Sequence, residues 1–144
     1  VLSTSPTKEA DAKELGAHHF VVTKDATQLA NVVGSFDFIL DTVSAPHDIN
    51  MYLSLLKTNG IHICVGVPPT PYDLHAFSLI GGRKSLVGSL IGGLPETQEM
   101  LDYCAANNIV SEIEIIDIKD IHAAYDRMLK GDVRYRFVID MATL

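Results

Sequence analysis

Short apolar runs alternate along this chain with segments whose apolar residues recur at helical spacing, and that alternation predicts βα repeats feeding a parallel sheet. Residues 1–3 read as the end of a strand. Ser5 stands as an N-cap before Pro6 and a helix over residues 7–15, which Gly16 closes. Residues 19–22 form a short strand and residues 28–33 a brief helix ahead of Gly34. A buried strand over residues 36–40 runs into Asp41-Thr42-Val43, and an amphipathic helix follows over residues 49–57. Asn59-Gly60 then turns the chain into a strand over residues 61–65, which stops at Gly66 and the proline-rich loop 68–71.

The second half continues the pattern with longer elements. Residues 77–80 suit a helical turn, and Gly81-Gly82-Arg83-Lys84 leads into a strand over residues 85–89 with a glycine exit at Gly92-Gly93. A long helix is predicted over residues 95–107, with Pro95 in its first turn and Met100, Leu101 and Cys104 at helical spacing. Ile113 and Ile115 alternate with Glu112 and Glu114, which predicts a strand with one exposed face and a solvated pair of carboxylates. An amphipathic helix over residues 121–129 stops at Lys130-Gly131, and a last strand spans residues 135–139. No linker, repeat or low-complexity segment divides the chain, so it reads as one domain. The fold class is α/β, a doubly wound parallel sheet.

Composition narrows the function classes. The chain has 144 residues, enough for a sizeable core, and its 47% hydrophobic and 20% charged residues are those of an ordinary soluble globular protein. A formal net charge of -7 argues against nucleic-acid binding, which needs clustered cations. No apolar run reaches membrane-spanning length, and no charged segment followed by an apolar stretch marks a signal peptide. Cys64 and Cys104 lie far apart without a C-x-x-C pattern, which suits buried thiols in a reducing cytoplasm.

Two groups of residues could carry ligand chemistry. In dinucleotide-binding folds the end of the second strand meets the adenosine ribose, where an acid excludes a 2′-phosphate and hydroxyls with a cation welcome one. Ser3, Thr4, Ser5 and Lys8 occupy the opening segment, with Glu9 the first acid. Spacing alone favours a helix cap followed by solvated polar residues. The second group lies at strand ends, where open α/β sheets bind ligands: Asp41-Thr42-Val43-Ser44, Gly66-Val67-Pro68 and Ser89-Leu90-Ile91-Gly92. The histidines are scattered, with no H-x-x-x-H pair. His62 inside a strand reads as a packed or hydrogen-bonded residue and His47 as a loop residue past a strand end. No catalytic group and no metal ligand set emerges.

The segments Phe36-Asp37-Phe38-Ile39-Leu40-Asp41-Thr42-Val43, Leu55-Leu56-Lys57-Thr58-Asn59-Gly60 and Gly81-Gly82-Arg83-Lys84 resemble the cofactor domain of zinc-containing medium-chain alcohol dehydrogenases. Residues 88–101 and the tail 131–140 are similar to the cinnamyl alcohol dehydrogenase branch, with its broad-range aldehyde reductases. The resemblance spans essentially the whole chain. It implies a Rossmann-like domain lacking its first strand and glycine-rich turn, which would lie upstream of Val1; no G-x-G-x-x-G occurs in the sequence. It implies a partial NADP-binding domain over residues 1–144, with a separate catalytic domain outside this chain carrying a catalytic zinc and a four-cysteine structural zinc. In the intact enzyme that zinc polarises the aldehyde oxygen, and NADPH delivers hydride in the interconversion of primary alcohols and aldehydes.

The same resemblance assigns cofactor contacts. Ser3, Thr4, Ser5 and Lys8 match the cluster around the 2′-phosphate; Thr42, Val43 and Ser44 match the strand end beside the adenosine side. Gly66, Val67 and Pro68, with Ser89, Leu90 and Ile91, match segments beside the nicotinamide. Arg136 matches a late arginine that reaches the pyrophosphate, with Arg134 its rival. The strand over residues 85–89 resembles an edge that pairs across a homodimer axis. By itself the chain is expected to be catalytically silent. The alternatives are a zinc-free quinone or enoyl reductase on the same scaffold, and a non-catalytic nucleotide-binding or dimerising module.

Overall fold

The computed structural model describes residues 1–144, which divide into two compact units, Val1–Ile91 and Gly92–Leu144. The fold is α/β, and every strand pairing in it is parallel.

In the first unit β1 (Leu2–Ser3) pairs with β2 (Val21–Val22). Between them a 3-10 turn (Pro6–Lys8) runs into α1 (Glu9–Glu14), so the predicted helix begins as a tighter turn at Pro6. Helix α2 (Ala26–Ala30) is capped by Asp25, whose carboxylate accepts the N–H groups of Thr27 and Gln28 at 2.9 and 3.1 Å. The main sheet has β4 (Leu56–Cys64) between β3 (Phe36–Asp41) and β5 (Ser85–Gly88). The helix between β3 and β4, α3 (Ile49–Leu55), is capped by Asp48, which accepts the Asn50 N–H at 2.9 Å. Helix α4 (Ala76–Ile80) connects β4 to β5.

Helix α3 stops two residues before the predicted end, because Leu55 and Leu56 are both drawn into the core and Leu56 is already extended. Phe36 pairs with Leu56 and Phe38 with Ile61, so Asp37 alone lies opposite residues 57–60. Asn59 takes the left-handed conformation at φ 64 in that excursion, and Lys57 reaches back to Asp37 at 2.8 Å. The predicted Asn59-Gly60 turn is therefore a bulge within β4.

The two-residue side-chain period of a strand decides what the sheet covers. Ile39 joins Ile49, Leu53, Leu55 and Leu56 in the buried cluster, so α3 covers the face that carries Ile39, Asp41 and His62. Phe38 and Leu40, one residue out of phase, are 65% and 64% exposed.

The second unit contains α5 (Leu94–Ala106), β6 (Glu114–Asp117), α6 (Ile121–Leu129) and β7 (Phe137–Asp140), with β6 and β7 paired. Glu96 accepts the Gly93 N–H at 2.7 Å and so caps α5 at its start. Gly131, at φ 71, ends α6. The alternation in β6 comes out inverted from the predicted one: Ile115 is 68% exposed, whereas Glu114 is half-buried. The reason is a specific set of donors. Glu114 accepts from Arg127 Nη2 at 2.8 Å and from the Arg134 N–H at 2.9 Å, and Arg127 also donates to Asp132 at 3.0 Å.

Those donors, the Arg134 N–H first and then Arg127, hold the Glu114 carboxyl below its ordinary value. A depressed carboxyl contributes stability above the unfolded-state value and loses it as the pH falls through the folded-state value. Wild type and Glu114→Gln are therefore expected to differ in unfolding midpoint at neutral pH and to converge on acidification below pH 4.5. A midpoint difference that stays constant down to pH 3 would remove Glu114 from the acid response.

Candidate functional site

The loops after β3 and β4 are stitched together by main-chain bonds. Val65 and Gly66 both donate to the Asp41 carbonyl at 2.9 Å, and the Val67 N–H donates to Ser44 Oγ at 3.3 Å. This brings Thr42, Val43 and Ser44 beside Gly66, Val67 and Pro68, as a strand-end ligand crevice requires. Gly66 is needed for the approach: a Cβ there would lie 2.4 Å from the Val43 carbonyl oxygen. Ser89 joins the end of the sheet through its N–H to the Cys64 carbonyl at 3.1 Å. Leu90 and Ile91, 87% and 89% exposed, project from the chain beyond it.

The opening segment forms a compact polar turn at the end of β1. Ser3 Oγ accepts the Ser5 N–H at 3.2 Å, and the Ser5 and Thr7 hydroxyls are 2.8 Å apart. Ser5 sits at the N-cap position, yet its side chain makes no capping bond. Of the two readings open at this segment, hydroxyl capping is thus absent. The exposed Lys8 ammonium has no ion-pair partner, while the neighbouring Glu9 is engaged by Lys13 at 2.7 Å. Arg136 lies in the second unit, exposed, its carbonyl accepting the Glu114 N–H at 2.9 Å.

A buried polar cluster that sequence reasoning did not assemble lies under the strand-end loops. Asp41 is at its centre: one carboxylate oxygen accepts the Val43 N–H at 2.9 Å, and the other lies 2.8 Å from His47 Nε2 and 3.5 Å from the Tyr72 hydroxyl. His47 Nδ1 faces the Ala45 carbonyl at 2.8 Å. Both ring nitrogens of His47 therefore face oxygen atoms, one of the Asp41 carboxylate and one of the main chain.

His62 is wholly buried, and its Nε2 has no hydrogen-bond partner, standing 3.7 Å from Asp41 Oδ2. Its Nδ1 is 3.6 Å from Cys64 Sγ. Burial pushes the His62 imidazole down from its usual value, with His47 adding to the shift and Asp41 opposing it. Burial likewise pushes the Cys64 thiol up, and raises the Tyr72 phenol to about 12 with help from the Asp41 charge. The signal was present in the sequence as His62-x-Cys64, two residues apart on one strand face, one strand over from Asp41. The parallel register pairs Asp41 with Cys64 and supplies the juxtaposition.

The loops meet at the carboxyl end of the sheet, where open α/β folds bind their ligands. The family described as zinc-binding dehydrogenase matches residues 1–106. The chain belongs to that family. Among curated relatives it is 53% identical over 143 residues to cinnamyl alcohol dehydrogenase 2 of Arabidopsis thaliana, covering 99% of this chain and 38% of that protein. It is 50% identical over 144 residues to NADP-dependent alcohol dehydrogenase C 1 of Mycolicibacterium smegmatis, covering 100% of this chain and 41% of that one. A solved cinnamyl alcohol dehydrogenase from Sorghum bicolor superposes with a TM-score of 0.92 at 40% identity, over 99% of this chain and 40% of its own. The Helicobacter pylori enzyme, solved with NADP(H), superposes with a TM-score of 0.83 at 37% identity, over 99% of this chain and 40% of its own. The chain thus spans about two fifths of the length of the relatives it matches. The family's Rossmann-like cofactor domain is the part to which these residues correspond.

Proposed function

We propose that this chain is the NADP-binding part of a zinc-dependent alcohol dehydrogenase that interconverts primary alcohols and aldehydes, acting in the cytoplasm. Bound NADPH supplies the hydride. This chain's residues grip and orient it. The observation that carries the reading is the polar turn at the end of β1, where Lys8 has no ion-pair partner, Ser5 does not cap, and the nearest acid is paired elsewhere. Ser3, Thr4, Ser5 and Lys8 hold the 2′-phosphate through charge-assisted and hydroxyl hydrogen bonds. Thr42, Val43 and Ser44 line the adenosine side; Gly66, Val67, Pro68, Ser89, Leu90 and Ile91 line the nicotinamide side; Arg136 reaches the pyrophosphate. Residues 1–144 constitute one partial cofactor domain.

Zinc is a different case. A four-cysteine site cannot be built from the two cysteines of this sequence, so no step of the zinc chemistry is assigned to this chain. The chain alone is expected not to turn over alcohols. The free edge of β5 in the order β3-β4-β5 supports a homodimer that continues the sheet from one subunit to the next.

Titration calorimetry of the chain with NADPH and with NADH tests the reading. NADPH is expected to bind more tightly than NADH, and Lys8→Ala to weaken NADPH by about tenfold or more while leaving NADH unchanged, as loss of one charge-assisted bond predicts. Equal affinity for the two cofactors, or a Lys8→Ala loss shared by both, would overturn the 2′-phosphate assignment. Absence of binding to either would favour a non-catalytic structural module.

A further inference from the structure

We propose that Asp41, His62 and Cys64 form a binding site for one divalent transition-metal ion of the Zn2+ class. One ligand atom from each of the three lies within 4.8 Å of the other two. The 3.6 Å between Cys64 Sγ and His62 Nδ1 is the separation of two ligands on one tetrahedral ion; bonds of about 2.3 Å to sulfur and about 2.0–2.1 Å to nitrogen require roughly that spacing. The mixed set of thiolate, imidazole and carboxylate suits a borderline ion and disfavours Mg2+ or Ca2+, which prefer oxygen alone.

A second observation points the same way. His62 is fully buried, its Nε2 has no partner, and it faces the Asp41 carboxylate from beyond hydrogen-bonding distance. A buried polar nitrogen without a partner carries a desolvation cost that a ligand offsets. With Nδ1 on the ion, the imidazole proton sits on Nε2, on the side of the ring that faces the Asp41 charge. Cys64 is half-exposed and gives the ion its approach. On binding, the Cys64 thiol proton is released to solvent as the metal–sulfur bond forms. Three protein ligands leave a fourth position for water. The inference stands independently of the cofactor reading.

The chain, kept reduced and metal-free, is titrated with Co2+ and then with Zn2+. The expected result is a near-ultraviolet thiolate-to-Co2+ charge-transfer band that saturates at one equivalent and is displaced by Zn2+. Cys64→Ser is expected to abolish the band, His62→Gln and Asp41→Asn to weaken Co2+ binding about tenfold or more, and Cys104→Ser to leave it intact. A second readout needs no variant: saturating Zn2+ is expected to slow alkylation of Cys64 at least about tenfold without protecting Cys104, as followed by peptide mass spectrometry. Absence of the band in wild type, a band that survives in Cys64→Ser, full binding in both His62→Gln and Asp41→Asn, or equal alkylation of Cys64 with and without Zn2+ would each overturn the site.

Discussion

Replacing Asp41 by alanine is expected to lower the stability of the first unit by about 3–5 kcal/mol, because several shielded donors lose their shared acceptor at about 1–3 kcal/mol each. Three donors converge on this carboxylate, from the Val43 main chain, the His47 ring and the Tyr72 hydroxyl. His47 is itself largely shielded, with a side-chain exposure of 11%, so its ring cannot exchange Asp41 for water without opening the loop. Asp41→Asn keeps an acceptor for the Val43 N–H but gives up the charge and sets an NH2 donor against His47 and Tyr72; with the side-chain volume retained it should cost less, about 1–3 kcal/mol. Urea unfolding followed by circular dichroism at neutral pH separates the two variants. An Asp41→Ala protein within about 0.5 kcal/mol of wild type, the range of a neutral surface change, would mean that the cluster contributes nothing to holding the strand ends.

That expectation concerns residues whose chemistry only the folded chain displays. The periodicity located most strands and helices to within a few residues, because apolar runs of different period are a local property of the sequence; β4 is the exception, beginning at Leu56 inside the expected helix. Residues 121–129 coincide with α6 for that reason. The partition of the strands into sheets β1-β2, β3-β4-β5 and β6-β7 depends on long-range pairing and register, which no local pattern encodes. Two misreadings show the difference. Glu112 and Glu114 looked like a solvated strand edge, but Arg127 from α6 and the Arg134 main chain draw Glu114 inward. His47 and His62 looked unrelated at a separation of fifteen residues, yet both address Asp41 Oδ2, at 2.8 and 3.7 Å. By contrast, the strand-end loops were legible, since glycine and proline after an apolar run mark where a strand stops. The close approach of those loops is also where a single methyl group has most to disturb.

Gly66→Ala places that methyl group where the backbone leaves no room. Its Cβ would stand 2.4 and 2.6 Å from the carbonyl oxygen and carbon of Val43 and 2.7 Å from the Thr42 carbonyl carbon. A clash with a flexible side chain relaxes by rotation; a clash with main chain must move the loop. The loop cannot move freely, because Val65 and Gly66 both hold the Asp41 carbonyl at 2.9 Å and Val43 is tied to the Asp41 side chain. Overpacking of this kind costs about 1–3 kcal/mol, and the displacement separates Val43 and Ser44 from Val67. On the cofactor reading, NADPH affinity then falls at least about tenfold, equivalent to about 1.4 kcal/mol. Gly34→Ala is the matched control: Gly34 has φ +62 and nothing within 4 Å of an added Cβ, so it carries backbone strain alone. It should lose stability, more than the roughly 0.4–1 kcal/mol that an unstrained glycine-to-alanine change gains, with no change in NADPH affinity. Equal affinity losses in the two variants would show that general destabilisation governs binding. A selective loss in Gly66→Ala locates the cofactor at the crossing of the β3 and β4 loops, where only hydrogen is small enough to let the two main chains meet.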